Sequence, residues 1–264
     1  MIGLRPAGTG HRSSGQSVRS MAPMSRALAT LAPTLVLVGM GLRPEVGLAQ
    51  DFQQERSQMV EQQIRQRGIS SDGVLSAMRE VPRHLFVDRS HREQAYDDRA
   101  LPIGDAQTIP QPYLVALMAS LLELGGDEKG LEVGTGSGYQ AAILAVLADR
   151  VYSIEIHDEL GRQARRKLRE LGYENVMVSI GDGYGGLPAE APFDAILVTA
   201  APRRTPQPLL EQLRVGGRMV IPVGEYFQDL LVITRTADGY EQSRVDLVRL
   251  EPMTGEAQKP DRDR

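Results

Sequence analysis

The stretch "LEVGTGSGY", Leu131 to Tyr139, constrains this chain more than any other: a short apolar run leads straight into glycines at positions 134, 136 and 138. A backbone that turns this tightly, and lets something approach it closely, needs residues without a Cβ. A glycine turn feeding a helix N-terminus is a ready anion site, so pyrophosphate is the first ligand to consider. Glu132 argues against it, because a carboxylate two residues before the first glycine would repel a phosphate. The spacing argues the same way. Dinucleotide sites use G-x-G-x-x-G, whereas Tyr139 stands where the last glycine would fall, and the Lys-Ser or Lys-Thr pair of a P-loop is missing.

The chain after Gly130 alternates apolar strand runs with helices: "GLEVGT", a helix from Ser137 to Ala148, "RVYSIEI", a helix from His157 to Leu171, and "NVMVSIGD". Then come "FDAILVTA", a short helix around "PLLEQLR", and the runs "RMVIPVG", "DLLVITRT" and "RVDLVRL". This alternation predicts an α/β fold, a three-layer doubly wound sheet that is mostly parallel, with the last strands antiparallel at one edge. Ahead of it, Asp51 to Pro82 reads as two polar helices forming an N-terminal extension, with Gly68 as a stop and Ser70 or Ser71 as the next N-cap. Tyr96 to Pro112 is punctuated by Pro and Gly and has little periodicity, as functional loops often do. The apolar helix "YLVALMASLLEL" follows it. One domain over 51–253 accounts for these elements, and 254–264 reads as a frayed polar tail.

Residues 1–49 differ in character, with Arg26 ahead of an apolar stretch from Ala27 to Leu42 and a small-x-small end at Gly47 and Ala49. They read as a secretory leader cut after Ala49, or as an over-extended start with translation beginning at Met21, Met24 or later. The apolar stretch is short for a membrane span. The chain contains no cysteine, which excludes disulfides, thiolate metal sites and a cysteine nucleophile. Its four histidines are scattered without an H-E-x-x-H pair, so no metal site is expected. A net charge of −4 leaves no polyanion footprint, and the basic run Arg162 to Glu170 reads as a solvated helix face. Ser137 is no hydrolase nucleophile, because G-x-S-x-G would need glycines where Thr135 and Tyr139 stand.

In this frame the glycine turn lies at the carboxyl end of a strand, where open α/β sheets bind their ligands. An acid at Glu132 suits a ligand with an ammonium and a sulfonium, and S-adenosylmethionine is that ligand. Gly134, Thr135, Gly136, Ser137 and Gly138 then form its cradle. Glu155, at the end of the next strand, can accept both ribose hydroxyls, a role shared with NAD sites. Asp182, beside Gly183 after the third strand, can accept from the adenine amino group. Each feature also has a plain structural reading as a turn or a strand-end charge. Their coincidence on three consecutive strand ends favours the cofactor.

The same residues, with "GDGYGGLPAEAPFDAI", "VTAAP", "GGRMVIPVGE" and "ALPIGDAQTIPQPYLVALM", closely resemble protein-L-isoaspartate O-methyltransferases, from about Met59 to Pro252. The resemblance implies a Rossmann-like methyltransferase fold and methyl transfer from S-adenosylmethionine to the free carboxylate of L-isoaspartyl residues in damaged proteins. It implies a cytoplasmic monomer with isoaspartyl proteins as partners, no nucleic acid and no stable membrane association; the leader points instead to export or the periplasm. Two positions depart from the family: Leu187 replaces an aromatic residue, and Pro110 replaces the serine of T-I-S-x-P. Pro110 falls on the residue usually called catalytic. Thr108 and Thr199 are then the hydroxyls expected to grip the substrate. A related carboxyl or small-molecule methyltransferase with altered specificity, a cofactor-binding protein without turnover and a nicotinamide dehydrogenase remain as alternatives.

Overall fold

The computed structural model describes residues 46–259, so the expected leader lies outside the described residues up to 45, as does the end of the expected tail from 260. Helix α1 (Val46–Met59) continues through a π-helical turn and a 3₁₀ turn to Gly68, which ends it at φ 97°. Helix α2 (Asp72–Glu80) is capped by Ser71, whose hydroxyl accepts from the Val74 N–H at 3.5 Å. These are the two opening helices expected, with Ser71 the cap and Gly68 the stop.

The stretch expected to be an aperiodic loop contains a small antiparallel hairpin, β1 (Leu101–Gly104) and β2 (Gln107–Ile109). Its turn sets Asp105 and Ala106 at φ 47° and 55°. Such left-handed values are uncommon outside glycine, so no Asn-Gly or Asp-Gly pair marks the turn in the sequence. Helix α3 (Pro112–Leu121) begins on a proline, where the missing N–H is one the helix does not use.

The strand–helix alternation then runs β3 (Lys129–Val133), α4 (Tyr139–Leu147), β4 (Arg150–Glu155), α5 (Asp158–Glu170), β5 (Val176–Ile180) and β6 (Phe193–Val198). It closes with α6 (Gln207–Gln212), β7 (Leu213–Val223), β8 (Gln228–Arg235) and β9 (Tyr240–Val248). Seven strands lie in the order β5-β4-β3-β6-β7-β8-β9. The first five are parallel, and β8 and β9 add antiparallel at one edge, as the sequence predicts. Alternate residues of β6 feed two cores. Ala195 and Leu197 pack with Met118 and Leu144, while Ile196 and Val198 pack with Leu209 and Met219.

The strand order reverses at β3, whose neighbours are β4 on one side and β6 on the other. That reversal opens a crevice above the carboxyl end of β3. After β9 the chain turns back toward β6: the Ala201 N–H donates to the Glu251 carbonyl and the Met253 N–H to the Ala201 carbonyl, both at 2.8 Å. The start of the polar tail expected from 254 forms a 3₁₀ turn at Gly255–Gln258. Its anchor is Asp182, whose Oδ2 accepts from the Glu256 N–H at 2.7 Å.

Candidate active site

A cavity of about 620 Å³ opens at the carboxyl ends of the parallel strands. Its lining includes Gly134 to Ser137 after β3, Ile154 to His157 after β4, Asp182 and Gly183 after β5, and Thr199 after β6. The hairpin and the start of α3 add Gln107 to Gln111 and Tyr113, and the end of β9 with the returning segment adds Asp246 to Thr254. Thr108, Pro110, Thr199, Gly134, Thr135, Gly136, Ser137, Glu155, Asp182 and Gly183 are therefore brought together as expected. Glu132 and Gly138 are not on this surface.

The crevice depends on missing side chains at two points. A Cβ on Gly134 would overlap the Thr199 hydroxyl, and one on Gly183 would overlap Val133. Gly138 caps α4 at φ 88° and packs toward Leu168 and Ala164 of α5 instead of facing the cavity. It is a packing glycine.

Glu155 is buried with both oxygens aimed by the backbone: Oε2 accepts from the Gly136 N–H at 2.8 Å and Oε1 from the His157 N–H at 2.9 Å. Asp182 is held likewise, Oδ1 accepting from the Tyr184 N–H at 2.9 Å. Each carboxylate oxygen keeps a further lone-pair site. Two rigid acceptors thus stand at successive strand ends, next to a cradle of small residues.

Glu132, expected to face the cleft, is fully buried within β3. Its Oε2 accepts from Ser153 Oγ at 2.5 Å, and Ser153 Oγ lies 2.6 Å from Thr135 Oγ1. With the Ser153 proton on Glu132, Thr135 is the donor to Ser153, so Glu132 reaches the cavity only through two hydroxyls. Its Oε1 has no partner. Burial pushes its pKa up to about 8, with the nearby Glu155 charge adding to the rise and the Ser153 hydrogen bond opposing it.

The two threonines are already engaged. Thr199 Oγ1 lies 2.6 Å from the Gly134 carbonyl and 3.0 Å from that of Val133, so its proton holds the glycine turn. Thr199, expected to grip the substrate, lines the cavity with its hydroxyl proton turned to the glycine turn. Thr108 Oγ1 donates to Glu251 Oε1 at 3.2 Å. The carbonyl of Pro110 accepts from Arg83 Nη2 at 2.7 Å, while Arg83 Nε donates to the Ala95 carbonyl at 2.8 Å. Arg83 is fully buried, 5.0 Å from the Tyr139 ring, and burial lowers its pKa to about 10, which leaves it charged. Sequence reasoning missed Arg83 and Glu251. A charge inside the apolar frame of "EVPRHLFV" was a usable signal for the first, and nothing local marks the second.

Among the described residues no cluster of His, Cys, Asp or Glu could hold a metal. A parallel sheet with this reversal, a glycine turn on β3 and fixed carboxylates after β4 and β5 define a Rossmann-like methyltransferase that uses S-adenosylmethionine. The comparison with known proteins narrows the class. A sequence model of the protein-L-isoaspartate(D-aspartate) O-methyltransferase family matches residues 54–258. Protein-L-isoaspartate O-methyltransferase 1 of Syntrophobacter fumaroxidans is 54% identical over 206 residues, covering 78% of this chain and 96% of the relative. The Gloeobacter violaceus protein-L-isoaspartate O-methyltransferase is 51% identical over 200 residues, covering 75% and 98%. A solved protein-L-isoaspartate O-methyltransferase superposes with a TM-score of 0.70 at 27% identity, covering 78% of this chain and 67% of that one. A Plasmodium falciparum structure in complex with S-adenosyl-L-homocysteine shares the fold at a TM-score of 0.66 and 24% identity, covering 75% and 98%. The chain belongs to the protein-L-isoaspartate(D-aspartate) O-methyltransferase family.

Proposed function

We propose that this cavity transfers a methyl group from S-adenosylmethionine to the free carboxylate of L-isoaspartyl residues, with the cofactor on the glycine-turn side and the peptide on the side of the hairpin and the returning segment. The observation that carries the assignment is the pairing of two backbone-aimed carboxylates, Glu155 and Asp182, with a cavity whose other wall comes from residues 107–111 and 246–254. The residues present fit the cofactor: Glu155 can accept ribose hydroxyls, Asp182 an adenine amino group, and the turn from Gly134 to Ser137 lines the cavity with small residues. The bound cofactor supplies an electrophilic methyl on a sulfonium.

The chain's own task is modest. A substrate carboxylate with a pKa near 4 is already ionised at neutral pH, so no general base is needed. With the cofactor bound, a carboxylate oxygen of the peptide would take the methyl carbon as the carbon–sulfur bond breaks, the electron pair staying on sulfur. Both charges vanish in the step. The protein holds the oxygen in line with the methyl–sulfur bond and excludes water, and such positioning is worth several powers of ten in rate. Thr199 holds the glycine turn, Glu132 acts through Ser153 and Thr135, and Arg83 fixes the Pro110 carbonyl. The chain acts as a monomer in the cytoplasm, and no described helix is long and apolar enough to cross a membrane.

Transfer of labelled methyl to an isoaspartyl peptide, with the aspartyl peptide as control, tests the function; equal labelling of both, or of neither, refutes it. Pro110 supports a second reading, a carboxyl methyltransferase with shifted specificity, because neither a hydroxyl nor an N–H stands at that position of the wall. Fractionation of the untagged protein with N-terminal sequencing tests the compartment, and a mature start at Gln50 in the periplasm would overturn it.

A further inference from the structure

The segment after β9 brings into the cavity a carboxylate for which methyl transfer has no use. Glu251 lines the cavity, is half-buried, and its Oε1 accepts from the Thr108 hydroxyl at 3.2 Å. Its backbone is pinned, since its carbonyl accepts from the Ala201 N–H at 2.8 Å. Among the described residues no Lys or Arg forms an ion pair with it. Arg67, on the same cavity surface, is engaged elsewhere: it stacks 3.5 Å from the Tyr113 ring centre and pairs with Asp98 at 2.9 Å. Asp246, near the end of β9, and Arg249, just after it, are exposed, opposite in sign and screened by water.

A negative group on the wall of a site that must admit a negative substrate lowers affinity for that substrate. A neutral acceptor would also serve Thr108, so the hydrogen bond, at 3.2 Å, does not by itself require the charge. The cost is offset when the incoming peptide carries a cation close to its isoaspartate. The residue after an isoaspartate is joined through the β-carbonyl, one methylene farther than the ordinary Cα–Cα step of about 3.8 Å, and a Lys or Arg side chain is long enough from there to reach Glu251 from the Thr108 wall.

We propose that Glu251 is a specificity-determining residue that favours isoaspartyl segments with Lys or Arg beside the damaged residue and disfavours acidic neighbours. The assignment rests on the reading of the Thr108 wall as the peptide side of the cavity. It is tested with three synthetic isoaspartyl peptides identical except for Lys, Ala or Glu after the isoaspartate, presented to the wild type and to Glu251→Gln. Two quantities are measured: kcat/KM, and calorimetric affinity for the protein saturated with S-adenosylhomocysteine. The wild type should rank them Lys over Ala over Glu, with about five- to tenfold between the extremes at low salt and less at high salt. Glu251→Gln, which still accepts from Thr108, should compress that spread to about twofold or less and use the Ala peptide better than the wild type does. A purely structural role for Glu251 leaves the spread the same in both proteins, and that result overturns the proposal. Equal use of all three peptides by the wild type overturns it as well. If no peptide is bound or methylated, the function assigned above falls and the proposal with it, a result plainly different from equal use.

Discussion

Glu132→Gln should change the pH dependence of stability in a direction set by the burial of one carboxyl. Glu132 has its pKa raised from 4.5 to about 8 in the folded chain, so between those values the folded protein keeps a proton that the unfolded chain has released. Stability therefore falls as pH rises through that window and is flat outside it, by about 1.4 kcal/mol per pH unit for one proton. From pH 5.5 to 7.5 the wild type loses roughly 2–3 kcal/mol to this group alone. Glutamine mimics the protonated form and carries no slope. It adds an amide NH₂ where Oε1 finds no partner, which lowers the starting stability by about 1–3 kcal/mol. The variant should thus begin less stable at pH 5.5 and gain steadily on the wild type. His84, pushed down to about 4 by burial and by Arg56 and Arg92, makes stability rise with pH between about 4 and 6.5, equally in both proteins. Urea unfolding at pH 5.5, 6.5 and 7.5 gives the difference curve. Parallel curves, agreeing within about 0.5 kcal/mol, would mean that Glu132 titrates normally and the burial argument is wrong.

Glu155→Ala should weaken S-adenosylhomocysteine binding by about 1.5–3 kcal/mol, and unchanged calorimetric affinity would remove Glu155 from the cofactor site. Thr199→Val frees the Gly134 carbonyl and should raise the Kd for S-adenosylhomocysteine while leaving the isoaspartyl KM nearly unchanged; the reverse pattern would return Thr199 to the substrate. Pro110→Ser should raise methylation up to roughly tenfold, and Thr108→Ala should lower it. A wild type without activity beside a strongly active Pro110→Ser would show that the proline has redirected the reaction.

The parts of the site that were legible in the sequence are those whose chemistry is local. Glycines 134 and 136 and the strand-end acids Glu155 and Asp182 announce themselves within a few residues, because a tight turn and a charge at a strand end are short-range patterns. Glu132 misleads for a reason that β3 makes plain. A central parallel strand is covered on both faces, so a residue still inside it points into a core whichever way it alternates, and only residues past its end meet the cleft. The hairpin at 101–109 was hidden by a turn whose two central residues, Asp105 and Ala106, take left-handed values without being glycine. The contact from Thr108 to Glu251 spans 143 positions and no periodicity can signal it.

The two halves of the cavity are built by different devices, and the difference explains how a proline can stand where a hydroxyl is expected. On the cofactor side each carboxylate is aimed by two backbone N–H groups, Glu155 by Gly136 and His157, Asp182 by Tyr184 and Glu256. Those acceptors are fixed before any ligand arrives. On the side proposed for the peptide the Thr108 hydroxyl serves Glu251, and the Pro110 carbonyl is held by Arg83. A donor that stabilised growing charge would be worth about 2.7–4 kcal/mol, but here the reacting carboxylate loses charge as the methyl arrives. A donor there acts chiefly on the ground state, where a hydrogen bond is worth about 0.5–1.5 kcal/mol. What the peptide side must supply is position, and a loop whose φ is fixed by proline and whose carbonyl is held by a buried guanidinium supplies it without a hydroxyl.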